Sequence, residues 1–233
     1  MIKTEQRIAF ATLDIGSSQI KLGVYCPFLS DKIILINNLP NELIYGTSGS
    51  VTADYTVVHE ASFTLFKELG AFLERNRVER LYLGICGHVS SLIEWNRISG
   101  TPPATPFPIW LDTTSYDSLD EYNQVMGDGK SQEIIGTFLP SGTNWLFTKL
   151  LHRRKSGFNH ESIFLQVGDA IFYELSGQYH THFSSQISMV NLEQRKYQPR
   201  LKDYLDLHDD ALPVIEYGVL PLDEAKKIMF GFP

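Results

Sequence analysis

The sequence predicts an α/β domain: a mixed five-stranded sheet flanked by helices. Three observations carry this reading. Strand-like segments follow one another from Ile8 to Asn38, a long amphipathic helical pattern follows Asp54, and a further apolar strand runs from Val78 to Cys86. A strand regained after a long helix is the step that builds a parallel crossover.

Ile8 to Leu13 is apolar or small throughout, which suits a strand buried on both faces. Asp14 ends it, and Gly16, Ser17 and Ser18 form a tight turn. Ile20, Leu22 and Val24 then alternate with Lys21, Gly23 and Tyr25, so the chain returns as a second strand. Lys32 to Asn38 completes an antiparallel meander, and Leu39 to Ala53 reads as loop. Asp54 is placed to cap a helix reaching about Arg75, with Val58, Ser62, Leu65, Phe66, Leu69, Phe72 and Leu73 on one face. Beyond Cys86 come a loop at Gly87 to Ser91 and a hairpin of Leu92–Trp95 with Asn96–Gly100. A proline-rich connector, Thr101 to Pro108, then leads to a brief strand, Ile109 to Leu111, ending at Asp112. Meander, helix, strand and a second strand with a terminal Asp is the order of a ribonuclease H-like half-domain.

From Ser115 the pattern is helical. Segments are expected at Ser115–Met126, Ser131–Ile135, Asn144–Lys155, Glu161–Leu175, Tyr197–Asp209 and Leu220–Met229. Gly127, Gly136, Gly157 and Gly177 supply the stops. No internal repeat breaks the chain, and residues 1–233 read as one domain.

Composition narrows the function. The chain is 43% hydrophobic and 20% charged, enough for an ordinary core. Its net charge of −7, from 20 basic and 27 acidic residues, argues against a nucleic-acid or anionic-membrane surface. Cys26 and Cys86 are the only cysteines, which argues against a disulfide scaffold and fits a reducing cytoplasm. Lys3, Glu5 and Arg7, with Asp14 soon after, make a poor signal peptide, and no apolar run spans a bilayer.

The chemistry concentrates at Asp14. A carboxylate at a strand end needs water, a donor or a cation. Gly16 lets the backbone approach a ligand, and the hydroxyls and N–H groups of Ser17 and Ser18 can face phosphate oxygens. An ordinary hairpin turn has the same composition. His180 and His182 are spaced as a strand-borne metal pair, but no Cys or carboxylate nearby completes a zinc site.

The segment LDIGSSQIKLGVY resembles the first phosphate motif of the sugar-kinase and actin-like ATPase superfamily, and more narrowly that of the FGGY carbohydrate kinases. LYLGICGHVSSL, PIWLDTTSYD, FTKLLH and VGDAIFYELSGQYHTHFSSQISMVNL resemble further segments of that family in the same order. The resemblance implies an ATP-dependent sugar or polyol kinase using Mg²⁺. Asp14 would organise the metal and phosphates, with Gly16, Ser17, Ser18 and Lys21 on the phosphate side. His88, Val89 and Ser90 occupy the sugar-specificity positions, where this sequence departs from the usual Gln followed by a charged residue or His. Trp110 and Asp112 would lie against the sugar. A ring offers a flat apolar face and a carboxylate takes hydroxyls. Trp145 is a further sugar candidate, although helical spacing favours core packing. Lys21 also suits an exposed strand face, and His88 an ordinary loop histidine.

The resemblance also implies an absence. The family's proton-accepting Asp opens a second, C-terminal domain that supplies most of the adenine pocket, and this chain ends at Met229–Pro233 about where that segment would begin. The expectation is an N-terminal half without its catalytic base: a fragment, a half with a separate partner, or a noncatalytic sugar-binding module. An isolated half exposes its cleft face and is expected to form a homodimer there.

Overall fold

The computed structural model describes residues 6–103 and 105–233, so Lys3 and Glu5 lie outside the described residues. Strand β1 (Ile8–Ile15) buries Ala9, Ala11, Leu13 and Ile15 and leaves Phe10, Thr12 and Asp14 exposed. It therefore alternates, and the expectation of burial on both faces is corrected: one face of the sheet has no covering layer among the described residues. Strand β2 (Gln19–Tyr25) pairs antiparallel with β1 and buries Ile20, Leu22 and Val24 on the same side. Strand β3 (Ile34–Pro40) pairs antiparallel with β2, with a register shift at Leu22/Gly23. The stretch expected as loop contains two short strands, β4 (Leu43–Tyr45) and β5 (Val51–Ala53), paired with each other.

Helix α1 (Tyr55–Arg75) has the expected bounds and cap, the Asp54 carboxylate accepting from Thr56 N at 2.8 Å. Its face of Val58, Leu65, Phe66, Leu69 and Leu73 packs on the buried side of the sheet. Strand β6 (Arg80–Gly87) then joins β1 in parallel. The sheet order is β3-β2-β1-β6, four strands rather than the five expected. The fifth fails because Ile109 to Asp112 is a turn closed by Asp112 N donating to Ile109 O at 3.0 Å.

The local hairpin expected after strand β7 (Ile93–Asn96) is reduced to a tight turn closed by one antiparallel bridge, Asn96 with Thr101. The extended segment before the Ile109–Asp112 turn is β8 (Phe107–Pro108), which pairs with β5 in a separate small sheet. Helices α2 (Leu119–Met126), α3 (Lys130–Ile135) and α4 (Leu146–Arg154) follow. The expected helix from Glu161 is in fact strand β9 (Ser162–Leu165), which takes β7 as its antiparallel partner, followed by α5 (Val167–Ser176). Beyond it, β10 (His180–Thr181), β11 (Val190–Asn191) and β12 (Lys196–Tyr197) precede α6 (Pro199–Leu205). Strand β13 (Val214–Ile215) pairs with β10, and α7 (Glu224–Phe230) returns to α1.

One core lies between the sheet, α1, α5 and the β7–β9 pair, and takes Phe230 and Phe232 as well. A second gathers Tyr122, Met126, Ile135, Phe147, Leu150, Leu151, Leu201 and Leu205 from α2, α3, α4 and α6. Gly70 of α1 is what lets α7 seat, since a Cβ there would collide with the Phe230 carbonyl. Among the described residues no helix is long and apolar enough to cross a membrane.

Candidate functional site

Strand register places Asp14 opposite Lys21 on one side and Cys86 on the other. All three side chains point to the open face of the sheet, at the C-terminal ends of the parallel pair β1 and β6. The Cys86 thiol lies 3.7 Å from Asp14 Oδ1, and burial, with the neighbouring carboxylate adding to it, raises its pKa. The turn after β1 is held from two sides. Gly16 N donates to Gln19 O at 3.0 Å, and Asn41 donates its side-chain N–H to Gly16 O at 2.8 Å and its backbone N–H to Ser18 O at 3.0 Å. A Cβ on Gly16 would stand 3.0 Å from Gln19 O, closer than side-chain carbons normally pack. Ser17 is half-buried and Ser18 exposed beside this glycine.

The chain leaves β6 directly into His88, Val89 and Ser90, the positions the resemblance assigns to sugar specificity. His88 N donates to Ile15 O at 3.0 Å, which fixes His88 at the tip of both parallel strands. Its ring is enclosed, neither nitrogen has a partner among the described residues, and it stacks toward Phe107 at 6.3 Å. Burial pushes its pKa down to about 4, against a smaller opposing effect of its own backbone. Val89 is exposed. Ser90 is buried, adopts a left-handed φ of 59°, and donates its N–H to Gln166 Oε1 at 2.8 Å.

His88 and Val89 line a groove of about 1130 Å³ running the length of β6, with the segment from Glu216 to Leu222 on its far wall. Asp169, also on its wall, is buried and accepts from Gln166 N at 3.1 Å and Gln186 Nε2 at 3.2 Å. Burial pushes its carboxyl up to about 7 despite these donors.

The Trp110–Asp112 turn is tied to the same region through Leu92 N, which donates to Pro108 O at 3.0 Å. Trp110 is 41% exposed and presents an uncovered ring. Asp112 is different: it is 1% exposed, and its carboxylate accepts from Val51 N at 2.8 Å and from Thr114 N and Oγ1. Asp112 thus ties the turn to β5, with little of its acceptor capacity left for hydroxyls. Trp145 donates its indole N–H to Pro140 O at 2.7 Å and packs on the second core, as helical spacing suggested.

One residue of this region escaped the sequence reading. Lys149 of α4 is 3% exposed, and its ammonium donates to Asp112 O at 3.1 Å. Burial pushes its pKa down to about 8, with Asp112 opposing. The available signal was a lysine set among Leu146, Phe147, Leu150 and Leu151 in an apolar helix. Lys149 and Asp112 share a cavity of about 200 Å³ under the proline-rich connector.

Asp14, Gly16–Ser18, Lys21 and His88 are therefore gathered at one edge of the sheet. Asp112 opens on a different cavity from His88 and Val89, and Asp14 lines neither. Among the described residues no three His, Cys, Asp or Glu side chains converge on a metal position. Asp14, exposed beside backbone amides, suits the one-carboxylate role that Mg²⁺ accepts when phosphates and water complete its shell.

The model of the N-terminal domain of the FGGY family of carbohydrate kinases matches residues 9–224. No match is found among curated proteins. Solved structures share the fold at low identity. Gluconate kinase from Lactobacillus acidophilus is 16% identical with a TM-score of 0.78, over 98% of this chain and 46% of that one. Xylulose kinase from Rhodospirillum rubrum is 14% identical with a TM-score of 0.80, over 97% and 47%. Glycerol kinase from Plasmodium falciparum, solved with ADP, is 15% identical with a TM-score of 0.76, over 97% and 47%. The chain thus spans about half the length of these enzymes. By its family match and its fold, the chain belongs to the FGGY family of carbohydrate kinases and carries that family's N-terminal domain.

Proposed function

We propose that this chain is the N-terminal half of an ATP-dependent kinase that transfers the γ-phosphoryl group to a hydroxyl of a sugar or polyol. The observation that carries the reading is the shared edge. Parallel strands β1 and β6 end side by side, so Asp14 and the His88 loop meet where open α/β sheets take ligands. When bound, ATP supplies the phosphoryl group and Mg²⁺ neutralises its charge.

The chain's own residues divide the rest. Asp14 would hold the metal, and the amides and hydroxyls of Gly16, Ser17 and Ser18, with the Lys21 ammonium, would orient phosphate oxygens. His88, Val89, Ser90 and Trp110 would line the sugar side, with Asp112 fixing the Trp110 turn, while Trp145 packs against the second core. His88 stays neutral near pH 7, so it offers the sugar one donor and one acceptor rather than a charge.

A second half would supply the proton-accepting Asp and the adenine pocket. Two features favour such a partner: β6 has no neighbour on its outer edge among the described residues, and Phe10 and Tyr25 stand exposed on the uncovered sheet face. Copies of the isolated chain would meet at the same edge. Two cysteines without a disulfide suit a reducing cytoplasm.

The test is reconstitution. The chain alone is expected to transfer little phosphate, and joining it to a C-terminal FGGY domain is expected to give sugar phosphorylation that Asp14→Ala abolishes while binding of the sugar persists. Full activity in the Asp14→Ala protein would overturn the assignment. A reconstituted protein that binds sugar but never phosphorylates it would instead make this a sugar-binding module.

A further inference from the structure

The loop that leaves β6 is tied down at both ends, and a side chain from outside it fixes its middle. We infer that Gln166, at the start of α5, is the positioning residue of the His88–Ser90 loop, holding the side chains that the proposed function sets against the substrate without touching substrate itself. The meaning of that loop rests on the kinase reading; the hold on it does not.

At its first residue the loop is tied to β1, His88 N donating to Ile15 O at 3.0 Å. At its far end Val167 N donates to Ser91 Oγ at 2.9 Å, and Ser91 Oγ donates to His88 O at 3.4 Å. A Cβ on Gly87 would stand 2.6 Å from Val167 Cγ1, so the first turn of α5 lies directly on the end of β6. Between these ties sits Ser90, with its left-handed φ of 59°. That conformation is unfavourable for a residue with a side chain and persists only where the surroundings impose it. Gln166 Oε1 imposes it here, accepting from the buried Ser90 N at 2.8 Å.

A carboxamide suits this task because it carries an acceptor and a donor in one plane. The acceptor takes Ser90 N, and Nε2 donates to Ser185 O, so the loop is pinned to the short helical turn Phe183–Gln186. Gln166 is 3% exposed and each end of its amide already has a protein partner, so it acts on the loop rather than on a ligand. Behind it the buried Asp169 carboxylate accepts from Gln166 N at 3.1 Å and from Gln186 Nε2 at 3.2 Å, which steadies the backbone from which the side chain reaches. His88 depends on this hold: its ring is enclosed beside Phe107, and loosening Ser90 two residues on would open it to water.

Two substitutions separate the hold on the loop from the start of the helix. Gln166→Met removes both polar ends and puts the fold at risk. Gln166→Asn does not, because asparagine ranks among the best N-cap residues, yet its side chain is one methylene too short to reach Ser90 N. By nuclear magnetic resonance on this chain, Ser90 N–H should exchange about tenfold or more faster in Gln166→Asn, with the β9 and α5 amides unchanged. The His88 ring, assigned as the one of seven histidine signals lost in His88→Leu, should titrate about one pH unit or more above its native midpoint of about 4. Joined to a C-terminal FGGY domain, Gln166→Asn should raise KM for the sugar by a larger factor than it lowers kcat, because the loop meets the substrate before transfer as well as during it. Unchanged Ser90 exchange, faster exchange spread evenly over β9 and α5, an unmoved His88 midpoint, or a loss confined to kcat would overturn the inference. Exchange and titration need no second domain, so they decide the hold on the loop even if phosphoryl transfer never appears.

Discussion

Replacing His88 by leucine tests the charge arrangement of the groove beside β6. In the folded chain burial lowers the His88 pKa from 6.5 to about 4. Above pH 6.5 the ring is neutral whether folded or not. Below 6.5 the unfolded chain takes up the proton first, and stability falls until about pH 4. At about 1.4 kcal/mol per pH unit, the loss is about 3 kcal/mol. Asp169 works in the opposite sense. Its carboxyl rises from 3.8 to about 7, so its contribution is whole below pH 3.8 and is lost as pH climbs through 7.

Between pH 4 and 6.5 the two slopes oppose each other, and their sum in the native protein is close to flat. His88→Leu leaves the Asp169 slope alone, so its stability should fall by about 3 kcal/mol from pH 4 to 6.5 relative to the native chain. Asp169→Asn should rise by a similar amount over the same interval. Urea unfolding followed by tryptophan fluorescence reads both, and ionisations common to all three proteins cancel in the comparison. Parallel pH profiles for His88→Leu and the native chain would refute the reasoning.

Two further perturbations follow from the packing. Asp112→Ala removes the acceptor of Val51 N and Thr114 N. Each orphaned donor costs about 1–3 kcal/mol, so the urea midpoint should fall accordingly; an unchanged midpoint would deny Asp112 its part in fixing the turn. Gly70→Ala drives a methyl group into the Phe230 carbonyl. It should unseat α7 and speed tryptic cleavage at Lys226 and Lys227, while the far-ultraviolet helical signal falls only slightly; equal cleavage rates in both proteins would count against the α1–α7 contact.

The legible parts of the chain were those set by neighbours in sequence. Alternation from Ile20 to Tyr25 fixed which side of β2 is buried, and Asp54 followed by an apolar face at helical spacing fixed both ends of α1 closely. The proximity of Asp14, Gly16, Ser17, Ser18 and Lys21 was legible for the same reason: they belong to one hairpin, and their closeness needs no distant partner.

Other features depended on partners far along the chain. Ser162–Leu165 is buried at every position, and such a run fits a helix as well as a strand until β7 supplies the ladder. Ile109–Leu111 has strand composition, yet β5 pairs with Phe107–Pro108 instead and leaves those residues to turn. Lys149 looked like one charge on a helix, and only the fold set its ammonium against Asp112 beneath a cavity. What the sequence determined by itself was periodicity, turns and caps, because these arise from contacts within a few residues. The tertiary structure decided strand partners, the number of strands and the company of each buried charge, because those energies exist only once distant segments have met.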